Sequence, residues 1–214
     1  MKKFMKKITK NELLSEVGTL IRQNVVQNRI PNPNPLPQGL PRVLAIRGIA
    51  SCGKTSSINF AFHKLVHRFT PTNPRRLHPP RGLEVEFFFI TQKTKELTAI
   101  ITFNNAINPG KFHGSPKPIK KLGIATRGDT RDVINDTLDL FQNQACDAVI
   151  VACRYSKHGN GFRLWRNTFL QHSLIQSSII NNNFTCLEFS IATGPNINID
   201  TINDARASVI SNWV

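Results

Sequence analysis

The sequence has no apolar run of about 18 residues, the length a membrane-crossing helix requires. Its opening, Met1-Lys2-Lys3-Phe4-Met5-Lys6-Lys7, starts like the basic end of a signal peptide, but Asn11, Glu12, Ser15 and Glu16 deny it the apolar segment such a peptide needs next. A cytoplasmic protein without membrane association is therefore expected. The four cysteines, Cys52, Cys146, Cys153 and Cys186, form no C-x-x-C pair, which argues against both a structural zinc and a disulfide framework. Reduced, structural thiols are the expectation. Acidic side chains are scarce: 13 Asp and Glu stand against 28 Lys and Arg, a net charge of +15. Such a surface attracts polyanions, so nucleic acid is a candidate partner. No helix-turn-helix pattern or aromatic-interleaved recognition motif accompanies the charge, which leaves composition as its only support.

What the chain does contain is Gly48-Ile49-Ala50-Ser51-Cys52-Gly53-Lys54-Thr55, which fits G-x-x-x-x-G-K-[ST]. Glycines at these positions let the backbone wrap an anion with successive N–H groups pointing inward. The short apolar run Arg42 to Arg47 precedes the loop and suits a buried strand. Ile58, Phe60, Ala61, Phe62, Leu65 and Val66 come after it at helical spacing. Strand, loop and helix thus come in the order that sets a helix N-terminus against the anion.

On this octapeptide the chain resembles the P-loop NTPase superfamily. The resemblance implies an α/β, three-layer fold with a mainly parallel sheet and helices on both faces. It also implies ATP and Mg²⁺ as cofactors. Gly48, Ser51, Cys52, Gly53, Lys54, Thr55 and Ser56 would bind the nucleotide, with Lys54 on the β- and γ-phosphates and Thr55 on the metal. A thiol in such a loop, Cys52, is a candidate for a lowered pKa. Residues 43–65 and 121–154 look more loosely like small stand-alone P-loop ATP-binding proteins of unassigned function.

Further absences narrow the class. No Asn/Thr-Lys-x-Asp guanine motif, no Leu-Ser-Gly-Gly-Gln signature and no apolar strand ending in Asp-Glu occurs. These disfavour a dedicated GTPase, a transporter-type ATPase and a motor. They leave a slow ATPase or nucleotide-dependent switch acting with a partner. The alternatives are a small phosphotransferase and a nucleic-acid-associated ATPase.

The chain divides into an N-terminal segment (1–30), a proline-rich linker (31–41) and the main domain (42–214). Within the first, residues 9–28 read as an amphipathic helix opened by the capping box Thr9-Lys10-Asn11-Glu12. Its apolar stripe packs on its own core or docks a protein partner. Leu83 to Ile90 and Leu97 to Phe103 read as a hairpin, between basic proline-containing loops at 71–82 and 104–118. Lys121 to Ala125 reads as a strand, followed by a turn carrying Asp129, then a helix with Val133, Ile134, Leu138 and Phe141, and a strand over 147–153. Ligands of parallel sheets sit outside the carboxyl ends of the strands, so Asp129 is a candidate for the Mg²⁺ side, with helix capping as its other role. Arg154 opens a basic stretch (154–166) that could close over a γ-phosphate as a lid, with Arg154 stabilising charge there; an ordinary exposed loop is the other reading. Residues 186–192 read as a last core strand. Residues 200–213 read as a closing helix with Ile202, Ala205, Val209, Ile210 and Trp213 on its apolar side.

Overall fold

In the computed structural model, residues 5–9, 11–13, 41–69, 82–91, 95–107, 118–192 and 197–214 are described. They form an α/β fold. In chain order the elements are β1 (Met5–Ile8), β2 (Arg42–Gly48), α1 (Lys54–Phe69), β3 (Leu83–Ile90), β4 (Leu97–Ile107), β5 (Ile119–Ala125), α2 (Arg131–Asn143) and β6 (Ala148–Arg154). They continue with α3 (Gly159–Asn167), a 3-10 turn (Phe169–Gln171), α4 (Ser173–Ile180), β7 (Phe184–Phe189) and α5 (Ile199–Trp213).

All seven strands belong to one sheet, ordered β1-β7-β2-β6-β5-β4-β3. The four central strands β7, β2, β6 and β5 are parallel, while β1, β4 and β3 add antiparallel edges. The expectation of a mainly parallel sheet therefore holds for the centre and needs correcting at the edges. The hairpin explains one edge, because the short connection after Ile90 permits only antiparallel pairing. Every residue of β2 is buried, as a central strand covered on both faces requires.

Two separate cores lie on the two faces of the sheet. One joins Leu44 and Ile46 of β2 to Ile58, Ala61 and Leu65 of α1 and to Ala207 and Ile210 of α5. The other joins Val43 and Ala45 to Ile134, Leu138 and Phe141 of α2, Trp165 of α3 and Leu174, Ile175 and Ile179 of α4. The helix after β2 thus covers one face, and the helices after its neighbour β6 cover the other. That divergence makes the carboxyl ends of β2 and β6 a topological switch point, the place where open parallel sheets generally bind ligands.

At the N-terminus, residues 5–8 form an edge strand paired antiparallel with β7, just ahead of the capping box. The capping box forms as read. Thr9 N–H donates to Glu12 Oε2 (2.8 Å) and Glu12 N–H donates to Thr9 Oγ1 (3.2 Å). Lys6 also pairs with Glu12, and these donors hold the Glu12 carboxyl down at about 2. Residues 11–13 are helical and Leu13 is buried. The remainder of the 9–28 helix, most of the linker (31–40) and most of the two basic proline-containing loops lie outside the described residues. Among the described residues, no helix is long and apolar enough to cross a membrane.

Candidate functional site

The octapeptide spans the gap between β2 and α1, at the switch point. Two left-handed residues shape it, Ser51 (φ 58°) and Gly53 (φ 91°). Such a conformation costs a non-glycine residue about 1 kcal/mol, so surrounding contacts must hold Ser51 there. Gly48 is tied to the neighbouring strand, since its carbonyl accepts from Tyr155 N–H at 2.9 Å. A side chain on Gly48 would meet Cys52 Sγ and Phe189 O, each at 2.6 Å.

Lys54 begins α1, and its ammonium folds back under the loop. Nζ donates to Gly48 O (2.9 Å) and Ile49 O (2.8 Å) and lies 3.8 Å from Cys52 Sγ. Lys54 is 8% exposed and pairs with no carboxylate among the described residues. A buried ammonium compensated only by carbonyl dipoles is a strong local source of positive potential. The N-terminus of α1 reinforces it, with no acidic side chain in its first turn. Thr55 is half-buried and its hydroxyl makes no side-chain hydrogen bond among the described residues, while Ser51 and Ser56 are exposed. Cys52 is buried beneath the loop at 3% exposure.

Asp129 reaches the same edge from β5. Gly128 lies across the end of β6, where its carbonyl accepts from Arg154 N–H at 2.9 Å. There is no room for a side chain at Gly128, because a Cβ would sit 2.8 Å from Ala152 C and 2.9 Å from Cys153 Cα. The β6 exit is therefore clasped between the turn holding Asp129 and the loop at Gly48. Both Lys54 and Asp129 lie close enough to act on the charge of the Cys153 thiol, whose pKa burial raises strongly. Asp129 is exposed and forms no hydrogen bond or ion pair among the described residues. Its alternative role is corrected: Thr130 caps α2, its Oγ1 accepting from Val133 N–H at 3.4 Å.

Arg154 ends β6 opposite Gly48 in the strand register and is exposed. The stretch after it is not a loop throughout. Residues 159–167 form α3, pinned by a fully buried Trp165 stacked on Phe169 (4.9 Å between centroids). Arg154, Lys157 and Arg163 remain exposed and carry no ion pair among the described residues. Arg166 is half-buried, its guanidinium 5.8 Å from the Phe162 ring.

Two side chains that the sequence pattern does not single out contact the loop from α5. Arg206 Nη1 donates to Cys52 O (2.7 Å) and Nη2 to Ser190 O (2.8 Å). Ser57 Oγ donates to Asn203 Oδ1 (3.2 Å). Burial lowers the Arg206 pKa from the ordinary arginine value. The buried face of α5 carries Asn203, Arg206, Ala207 and Ile210, while Val209 is 42% exposed, so the expected apolar face is rotated. A polar pair at i, i+3 beside apolar Ala207 and Ile210 is the one signal of this in the sequence.

Elsewhere along the edge, Arg47 of β2 donates through Nε and Nη2 to Glu188 Oε2 at 3.1 and 2.8 Å, with its guanidinium 3.9 Å from the Tyr155 ring. This pair braces β2 against β7 next to the loop.

Comparison with models of known protein families, with curated proteins and with solved structures finds no match.

Proposed function

We propose that this protein binds ATP with Mg²⁺ at the 48–55 loop and acts as a slow ATPase or nucleotide-dependent switch in concert with a partner. The observation that carries the reading is Lys54: a buried ammonium without a carboxylate partner among the described residues, held under a glycine-bearing loop at a helix N-terminus. An anion with several oxygens, such as a triphosphate, would find backbone donors, a helix dipole and a cation converging there. The two separate cores on opposite faces of the sheet support the three-layer P-loop arrangement.

The donor set suits Mg²⁺, which favours few protein ligands together with phosphate oxygens and water. Thr55 offers an unengaged hydroxyl and Asp129 an unengaged carboxylate at the same strand edge. The metal would neutralise phosphate charge; the chain's own part is to orient the phosphates through the loop amides and to hold Lys54 beneath them. No Asp-Glu strand end supplies a strong base for water, which is why slow turnover is expected. Cytoplasmic residence remains part of this proposal.

A second reading, phosphotransfer to an acceptor, is favoured by one observation: Arg154, opposite Gly48 in the strand register, and Lys157 and Arg163 in the stretch after it are all exposed and without ion pairs among the described residues. A nucleic-acid-associated ATPase rests on the net charge of +15. Phosphate release from Mg·ATP, measured alone and with DNA or RNA, separates them. Slow release without additives fits the switch, while stimulation by nucleic acid fits the third reading. ATP binding without release fits phosphotransfer. Absence of ATP binding by the folded wild-type chain refutes all three. Asp129→Asn should weaken the Mg²⁺ dependence of binding; an unchanged Mg²⁺ requirement removes Asp129 from the metal side.

A further inference from the structure

Resting on the nucleotide reading, we infer that Arg206, assisted by Asn203, is a positioning residue that turns the Gly53 peptide so that its N–H faces a bound phosphate. Arg206 is 3% exposed and holds two backbone carbonyls at once, Cys52 O of the loop and Ser190 O at the exit of β7. Its guanidinium also lies 4.3 Å from the Phe189 ring. A planar fork fixed at both nitrogens and across its face has little freedom left. The Cys52–Gly53 peptide is trans, so its C=O and N–H point to opposite sides of the chain. Anchoring Cys52 O on α5 therefore aims the Gly53 N–H away from α5 and toward the other side of the loop.

Gly53 then needs φ 91°, a conformation that favours glycine. A Cβ there would also approach Asn203 Oδ1 at 2.5 Å and Arg206 Nη1 at 3.0 Å. Asn203 holds the next anchor, the Ser57 hydroxyl, one turn into α1. The loop thus has its anion-binding shape imposed from outside by two polar residues on the buried face of α5. Preorganised donors of this kind strengthen anion binding because no reorganisation accompanies it.

The test uses the full chain and Mg·ATP, with affinity measured by calorimetry and the Gly53 amide followed by NMR. In wild type the Gly53 amide resonance should be among those most shifted on ATP addition. Arg206→Met should weaken ATP binding by about tenfold or more, and Arg206→Lys by less, because a lysine keeps the charge but cannot bridge both carbonyls. Asp204→Asn, an exposed change on the same helix, should leave affinity within about twofold. A purely structural role for Arg206 would lower the melting temperature yet leave affinity and the Gly53 shift unchanged, and that result overturns the inference. If Arg206→Met does not fold, Arg206→Lys and the wild-type spectrum decide: a Gly53 amide unmoved at ATP saturation overturns it equally. Wild-type protein that binds no ATP would instead overturn the nucleotide reading itself.

Discussion

Gly128→Ala isolates the contact that brings the Asp129 turn to the site. The added methyl would have to occupy space 2.8 Å from Ala152 C and 2.9 Å from Cys153 Cα, both backbone atoms of the central strand β6. Backbone cannot rotate aside as a flexible side chain can, so the turn must lift away from β6. Overpacking of this kind costs about 1–3 kcal/mol. Lifting the turn also strains the Arg154 N–H to Gly128 O hydrogen bond, worth a further ~1 kcal/mol. A total of about 2–4 kcal/mol corresponds to a fall in melting temperature of roughly 4–16 °C for a chain of this size. Gly159→Ala provides the control. Its φ is +71°, but nothing lies within 4 Å of an added Cβ. Only backbone strain of about 1 kcal/mol remains, or roughly 2–4 °C. Thermal unfolding of both variants checks the reasoning. Equal melting temperatures for the two would show that the close approach at Gly128 does not constrain the turn.

Trp165→Ala should cost about 3–5 kcal/mol, because the indole is fully buried and anchors α3; a loss below about 1 kcal/mol in a denaturant titration would contradict that anchoring. His172 caps α4 in its neutral form, with Nδ1 accepting from Leu174 N–H (3.3 Å) and Nε2–H donating to Asp139 (3.1 Å). Burial lowers its pKa below the ordinary histidine value, outweighing the opposing pull of Asp139. The unfolded chain therefore takes up this proton first: the contribution is intact above about pH 6.5 and is lost as pH falls through the lower folded value. His172→Asn keeps a capping oxygen and cannot titrate, so its unfolding free energy should fall less between about pH 7 and pH 5 than that of wild type; identical slopes would refute the assignment. Glu188→Gln should cost about 1–3 kcal/mol by weakening two charge-assisted hydrogen bonds from Arg47, measurable by chemical denaturation, and a neutral result would remove that brace.

Much of the fold is legible in the sequence because local signals agree with tertiary demands. The apolar run at 42–47 is the central strand β2, and the helical spacing after Lys54 is α1. The hairpin, β5, α2 and β6 also fall where apolar periodicity and turn residues put them. The loop residues are legible because glycine at positive φ and a lysine beside it form a local pattern. What is not legible depends on contacts distant in sequence. Lys6 and Lys7 hide the strand character of β1, since an edge strand can carry charge on its exposed side. The glycine-bearing basic stretch reads as a loop, yet packing of Trp165 against Tyr155 and Phe169 makes residues 159–167 a helix. α4 is weakly marked, because its outer side carries only uncharged Ser173, Gln176 and Ser177 together with exposed Ile180, and its inner side includes Ser178. On α5, hydrophobicity alone points to Val209, while Asn203 and Arg206 turn inward because they bind side-chain and backbone groups near a loop about 150 residues earlier.

The central claim is that Lys54 lies beneath a phosphate site. It is tested most directly by the dissociation constant of Mg·ATP for wild-type and Lys54→Ala protein, each first shown to be folded. If Lys54 faces phosphate as proposed, loss of its charge should weaken binding by about 1.5–3 kcal/mol, or roughly 10- to 150-fold, in a chain that still folds. A folded Lys54→Ala protein that binds Mg·ATP as tightly as wild type would contradict the account.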